Sequence, residues 1–460
     1  MIVHANKPLF AWDELQHSPT LATIRAALEA IPDAPLLHAL QQRRHRGCDT
    51  YPVRVLWGVL LLAILLRHTT TEACLEELRR NAPLRLLIGI ASEDAVPHGW
   101  NLTRFLAVLG QPEHLTLMRD IFDHMVQRLG LAVPDLGTHT AGDSTGLRGR
   151  LEPHAQRRAG EVADGLPQAS GGRKEYKDDD GHVTKVVEWF GYKLHLLVDV
   201  RHEVVLAFDI SDTKAGDNER IDALVDQAEA NLPADRMKTL AYDKAADDIK
   251  VHEVLHDHDI KPVIQNRSCG PKDGEREKVI GGRVPLHVVH DEAGTVYCYD
   301  TTGPAPVRRA MSYAGHEKDR GTWKYRCPAR VEGFACGSEA KCNEGKAYGM
   351  TVRVDQEIDL RRFPAIPRAT PQFERLYKGR TAVERVNDRL KVFWGLDDGN
   401  VVGARRFCAH VSAVRLVHLA CATLLAKAQR NEGSFGTLRL SPIAKKLDEL
   451  VASEKATAKT

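Results

Sequence analysis

Four polar side chains, Tyr377, Arg380, Glu384 and Lys391, recur at offsets of 0, 3, 7 and 14. A helix turns about 100° per residue, so this spacing gathers all four within an arc of roughly 60°. Val383, Val386 and Leu390 fall on the opposite side. Such a helix buries its aliphatic stripe and presents a hydroxyl, a guanidinium, a carboxylate and an ammonium together. A carboxylate set among cations suits a site that holds a metal ion and a phosphate at once.

The spacing Y-(2)-R-(3)-E-(6)-K resembles the signature of DDE transposases from bacterial insertion sequences, and all four positions match. Two further segments resemble the family's aspartate strands, Thr140-Ala-Gly-Asp143-Ser-Thr the first and Thr239-Leu-Ala-Tyr-Asp243 the second. The resemblance covers roughly residues 50–430. Pro52-Val-Arg-Val-Leu and Val96-Pro-His-Gly-Trp-Asn101 resemble the helical domain often attached in front of such enzymes. The second departs from the usual pattern, with His98-Gly-Trp-Asn101 standing where Asp-His-Ser-Thr is common.

The resemblance implies a ribonuclease-H-like core and DNA cleavage followed by strand transfer at element ends. It implies that Asp143, Asp243 and Glu384 hold two Mg2+ (or Mn2+) ions, and that Tyr377, Arg380 and Lys391 contact DNA phosphates. It also implies an aromatic in an inserted subdomain that stacks on a flipped base, for which Trp323 is the candidate, with a buried core tryptophan as the competing reading. Double-stranded DNA and a homodimer assembled on it are the implied partners. Physical chemistry agrees with the roles. Two Mg2+ ions roughly 3.5–4 Å apart neutralise the attacking and leaving oxygens of an in-line displacement. Mg2+ takes oxygen ligands and few carboxylates. Arg offers phosphate a planar fork, Lys a compact charge and Tyr a hydroxyl.

Each acid has a structural rival role. Asp143 precedes a turn-forming Ser-Thr-Gly run and could bond its backbone N–H groups. Asp247 and Asp248 follow Asp243 and suit the first turn of a helix. Thr381-Ala-Val-Glu384 fits a capping box, and Gly379 disfavours helix ahead of it by about 1 kcal/mol. Asp388 lies one turn beyond Glu384 as an alternative carboxylate. His195, in Gly191-Tyr-Lys193-Leu-His195, reads as a satisfied strand histidine or as a group near the metals.

The fold class expected is α/β: a ribonuclease-H-like mixed sheet interrupted by a β-rich insertion and preceded by a helical domain. Residues 1–130 read as helical, with helices over 20–40, 52–66, 71–80 and 102–129. Residues 131–267 carry strands at 137–142, 183–200, 203–210, 238–242 and 261–265, a helix over 217–231, and a mobile loop over 150–180. Residues 268–365 form the insertion, 366–430 the remaining core with an apolar helix over 407–428, and 431–460 a frayed tail.

Net charge is only +2, so the sum does not announce a nucleic-acid binder. Residues 371–430 hold 11 Lys+Arg against 5 Asp+Glu, a density that suits a phosphate-facing surface. The first ten residues lack a secretory pattern, and the longest apolar run, residues 55–66, is short for a bilayer span. With nine unpaired-looking cysteines, a reducing, cytoplasmic setting is expected. Cys298, Cys327, Cys336 and Cys342, with His316 nearby, are soft ligands able to hold a structural Zn2+, though no close Cys-x-x-Cys pair supports it. Three rival functions stand: a nuclease of the same fold that never joins strands, a non-catalytic DNA-binding descendant, and a zinc-dependent regulator built on the cysteines.

Overall fold

Proline and capping side chains set the helix boundaries in the first third of this computed structural model, which describes residues 19–44, 51–150, 154–178, 182–267, 277–343, 345–398 and 401–429. The expected 20–40 helix is two, α1 (Pro19–Glu29) and α2 (Ala34–Arg44). Pro32 lies at the break, and Asp33 turns to accept from Trp57 Nε1 at 2.7 Å. Next, α3 (Val53–Leu65) is apolar all round and buried on nearly every side, as a core helix must be. Thr70 Oγ1 accepts from Ala73 N at 3.1 Å to start α4 (Thr71–Arg80), and Asn81 caps α5 (Ala82–Leu87) in the same way. The expected 102–129 helix is also two, α6 (Gly99–Leu109) and α7 (Pro112–Ala132), because Pro112 begins a new first turn.

From residue 139 the period changes to that of strands. The elements are β1 (His139–Arg148), α8 (Ala155–Ala163), β2 (Ser170–Lys177), β3 (Val183–Asp199), β4 (Val205–Ser211), α9 (Ile221–Asn231), β5 (Thr239–Tyr242), α10 (Ile249–Asp257) and β6 (Lys261–Ile264). The sheet runs β4-β3-β1-β5-β6. β3 runs antiparallel to both β4 and β1, and β1, β5 and β6 are parallel. This is the ribonuclease-H-like arrangement. The stretch expected as a mobile loop is instead α8 and β2. The latter pairs with the first half of β3, from Ser170↔Gly191 to Lys177↔Val183. β3 is seventeen residues long, its first half, residues 183–190, extends past the core sheet, and β2 satisfies the backbone that would otherwise lie open there.

The insertion has two small sheets. One is β7 (Lys278–Val279), β8 (Val288–His290), β9 (Val296–Asp300) and β10 (Val307–Ala310); the other is β11 (Ser312–Glu317), β12 (Thr322–Arg326) and β13 (Thr351–Asp355). Two one-turn helices, α11 (Pro328–Glu332) and α12 (Glu339–Asn343), separate the last two strands. The insertion has its own core around Val288, Trp323, Tyr325 and Phe363. The chain then returns through α13 (Pro371–Tyr377), a 3-10 turn (Lys378–Arg380), α14 (Thr381–Asp388) and a π turn (Arg389–Phe393) to α15 (Ala404–Gln429).

Helix α15 packs on α7, α6, α1, α3 and β4, so it binds the front helices to the sheet. A single hydrophobic core runs from Ile24 to Ala426. The change near residue 130 is therefore one of secondary structure, with no gap in packing. Residues 404–427 are long and apolar enough to cross a membrane, but 89% of the window is buried inside the protein, as in a core helix. The expected frayed tail lies outside the described residues.

Candidate active site

Parallel pairing of β1 with β5 ends at Ala141↔Ala241. Asp143 and Asp243 each lie two residues further on, and side chains two apart share a face. The two aspartates therefore lie past the same end of the β1–β5 pairing, and the charge of Asp243 is felt at Asp143. Asp143 does not end its strand, as the sequence suggests. β1 continues to Arg148 on its antiparallel partner, Asp143 facing Leu196, and only the parallel neighbour stops. Gly142 is required here because a Cβ on it would lie 2.1 Å from Cε2 of Tyr242.

Asp143 accepts from Ser144 N at 2.8 Å. Burial pushes its carboxyl up to about 6; the Ser144 bond opposes this, while the Asp217 and Asp243 charges add to it. Asp243 accepts from Ala245 N at 2.7 Å and caps a 3-10 turn. Between them, Tyr242 is fully buried, its hydroxyl lacks a hydrogen-bond partner, and it feels Asp217, Asp143 and Asp243.

Helix α14 lies against β1 and β3 through Ala382, Val383, Val386 and Asn387. Val383, Val386 and Leu390 are completely buried, each burial contributing about 1.5–3 kcal/mol relative to exposure. Gly379 permits the close approach just ahead of this helix, since a Cβ would come within 2.8 Å of Val200 Cγ1. The capping-box role for Glu384 is not realised, because Lys378, Arg380 and Thr381 are already helical in backbone. Glu384 instead accepts from Arg380 Nη2 at 2.7 Å. Tyr377 stacks on Phe373 and feels Arg380, Asp243 and Glu384, while Arg380 feels Glu384, Tyr377 and Asp143.

The single helical arc does not survive intact. A 3-10 turn precedes α14 and a π turn follows it, and neither advances by 100° per residue. Lys391 is displaced by the π turn and donates to the Gly146 carbonyl at 2.7 Å, three residues along β1 from Asp143. Burial lowers its pKa, opposed by Asp397 and Asp388. Trp323 is corrected outright. It is fully buried in the insertion core, donates to the Phe363 carbonyl at 3.0 Å and packs on His316 at 4.0 Å, so no base can stack on it.

Sequence reasoning missed Asp217. It follows β4 on a short 3-10 turn and pairs with Lys193 Nζ at 2.7 Å. His195 Nδ1 stands 3.6 Å away, while its Nε2 is bonded to Ser211 Oγ at 2.8 Å. Burial lowers the His195 pKa to about 4, so the ring is neutral near pH 7. Lys193 and His195 sit two apart on β3 and share one face. A half-buried lysine on a core strand needs an anion, and that was the available signal. Asp248 caps α10 as expected, accepting from Lys250 N at 3.0 Å. Asp247 is no dipole charge; it is a buried ion-pair hub for Arg361 at 2.9 Å and Arg368 at 3.1 Å.

Four carboxylates, Asp143, Asp217, Asp243 and Glu384, thus border one electrostatic neighbourhood with an orphan buried hydroxyl. All are hard oxygen donors, which suits Mg2+ or Mn2+. Their oxygens are not drawn into a ligand shell. Among the described residues, only Asp222, Asp226 and His258 place three ligand atoms within 4.8 Å, and the two aspartates are exposed. An acidic group of that kind on a surface helix needs no ion.

No curated protein matches the chain. Residues 13–107 match a family model described as Transposase domain (DUF772). Residues 135–419, more than half of the chain, match the model described as Transposase DDE domain, and that span holds β1, β5 and α14 together with the insertion between them. The match covers the sheet and the Glu384 helix in one span, and the chain belongs to the DDE-domain transposases.

Proposed function

We propose that this transposase nicks DNA at element ends and joins the freed 3′-hydroxyl to a second phosphodiester, with Asp143, Asp243 and Glu384 as metal ligands. The observation that carries this reading is the parallel pairing of β1 with the neighbouring strand up to two residues before Asp143 and Asp243, with the Glu384 helix packed on β1. Bound divalent ions would supply charge neutralisation at both the attacking and leaving oxygens. Arg380 and Tyr377 sit where they can receive the phosphate that those ions would face. The Arg380–Glu384 pair is partly exposed and worth about 0–1 kcal/mol, so an incoming cation and phosphate can separate it cheaply. Lys391 serves a phosphate further along the strand. In the helical region, a cleft of about 690 Å³ lined by Arg43, Arg44, Arg104 and exposed Trp100 offers cations and a stacking face to an element end.

The deciding experiment is a strand-transfer assay with labelled element ends and Mg2+. Joined products support the proposal, and nicks without joining indicate a nuclease of the same fold.

Two results follow from the site's electrostatics. Asp143 titrates near 6 in the metal-free protein, so Mn2+ binding weakens as pH falls through that value. The stability sign is opposite. Folded Asp143 holds its proton below about 6 while the unfolded chain releases it down to 3.8, so the metal-free fold gains stability as pH falls across that window. Asp217→Asn removes a repelling charge and should move the Mn2+-binding midpoint to lower pH; calorimetric titration at several pH values measures the shift. Arg380→Ala should leave Mn2+ affinity equal or higher, because Glu384 is released. It should lower the salt slope of DNA binding by about 1, read by anisotropy across a salt series.

A further inference from the structure

Residues 327–343 and 345–350 of the insertion have little local support of their own. Helices α11 and α12 have five residues each, far below the length at which a helix holds itself. The stretch between them is rich in Gly and polar residues and contributes Phe334 as its one large apolar anchor. Yet Cys327, Cys336 and Cys342 from this stretch meet Cys298 of β9 around one small cavity of about 20 Å³. Cys298 is within electrostatic reach of the other three sulfurs, and all the described cysteines are free. His287, directly before β8, places Nε2 3.5 Å from the Cys342 sulfur. Asp300 ties the same segment from β9, accepting from Gly337 N at 2.9 Å and Ser338 Oγ at 2.8 Å. His316, the neighbour suggested by sequence, is instead on Trp323 and outside this cavity.

We propose that Cys298, Cys327, Cys336 and Cys342 form a structural tetrahedral Zn2+ site that fastens residues 327–350 to β9. Four soft ligands from separate segments are the donor set that selects zinc over the hard cations of the carboxylate site. Zn–S bonds of about 2.3 Å set tetrahedral sulfurs about 3.8 Å apart. The sulfurs are not drawn that close, since no three of them lie within 4.8 Å of one another. The shell closes by side-chain rotation within the cavity, with loss of the four thiol protons. His287 acts as the hydrogen-bond partner that steadies the Cys342 thiolate, a role typically worth 10–100-fold in metal affinity. A cluster this small gains from such a staple because its hydrophobic core is slight.

The test uses the full chain and does not depend on catalysis. Protein dialysed against EDTA should keep about one Zn per chain, released in step with titration of its thiols by a mercurial. Cobalt substitution should give the intense visible bands of a tetrahedral thiolate site and a sulfur-to-cobalt charge-transfer band. Cys342→Ser should abolish both, whereas His287→Ala should retain them with 10–100-fold weaker affinity. Zinc-free wild-type protein whose cobalt form lacks the charge-transfer band overturns the proposal, even if every cysteine variant fails to fold. Cobalt bands that survive Cys342→Ser overturn the ligand assignment.

Discussion

Replacing Asp143, Asp243 or Glu384 singly by alanine is expected to lower strand cleavage by about 10³-fold or more, the scale of losing a group that stabilises transition-state charge. The three variants should differ in stability, which separates a site defect from a folding defect. Glu384 is half-exposed and its carboxylate pairs with Arg380, its neighbour on the same helical segment, so Glu384→Ala should fold like the parent. Asp243→Ala forfeits the cap on its 3-10 turn and should lose about 1 kcal/mol. Asp143→Ala removes a buried carboxylate that repels Asp217 and Asp243, so at pH 8 it should be at least as stable as the parent. A purified Glu384→Ala protein with parental melting and parental cleavage would remove the basis for the metal-ligand assignment.

The largest loss of stability is expected from Asp247→Ala. This carboxylate is completely buried and bonds Arg361 Nε at 3.0 Å, Arg368 Nη2 at 3.1 Å and the Arg267 amide at 2.7 Å, with His252 Nε2 at 3.1 Å. Arg361 lies at the end of the insertion, Arg368 just after it where the chain re-enters the core, and Asp247 after β5, so the cluster is the clasp between insertion and core. Removing the anion leaves Arg368 buried and uncompensated, a change that costs about 3–5 kcal/mol. Burial raises the Asp247 pKa, but the His252, Arg361 and Arg267 bonds outweigh this and hold it down at about 2. Its stabilisation is therefore complete above about 4 and lost as pH falls toward 2. Urea unfolding of the variant should show the loss at pH 7. Hydrogen exchange should localise it to residues 361–368 and the β5–α10 connection. An unchanged midpoint would show that the cluster contributes nothing net.

Much of the candidate site was legible from local pattern. The aspartates could be placed because apolar strands preceded them, and Glu384 because Val383, Val386 and Leu390 mark the buried side of its helix. Long strands and helices were legible because side-chain alternation of 2 or 3.6 residues is a property of the backbone next to each residue. The breaks at Pro32 and Pro112 were legible in principle, since proline removes a donor and clashes with the preceding turn.

What remained hidden depended on partners far along the chain. Asp217 matters because Lys193 and Asp143 come to it, and Asp247 because two arginines more than a hundred residues later fold onto it. Trp323 was a candidate for a DNA-facing ring until the insertion closed a core around it. The same holds for β2, whose polar sequence reads as loop until β3 offers it an edge. By itself the sequence determined most of the long strands and helices, the candidate acids that follow apolar strand segments or sit on a helix face, and membership in the family. Only the tertiary structure decided the β1–β5 pairing that puts Asp143 and Asp243 at one end of neighbouring strands, the approach of Asp217 to Asp143, and the one core that joins the front helices to the sheet. Local torsions and periodicity are encoded residue by residue, whereas register, burial and ion pairing are set by which distant surfaces exclude water together.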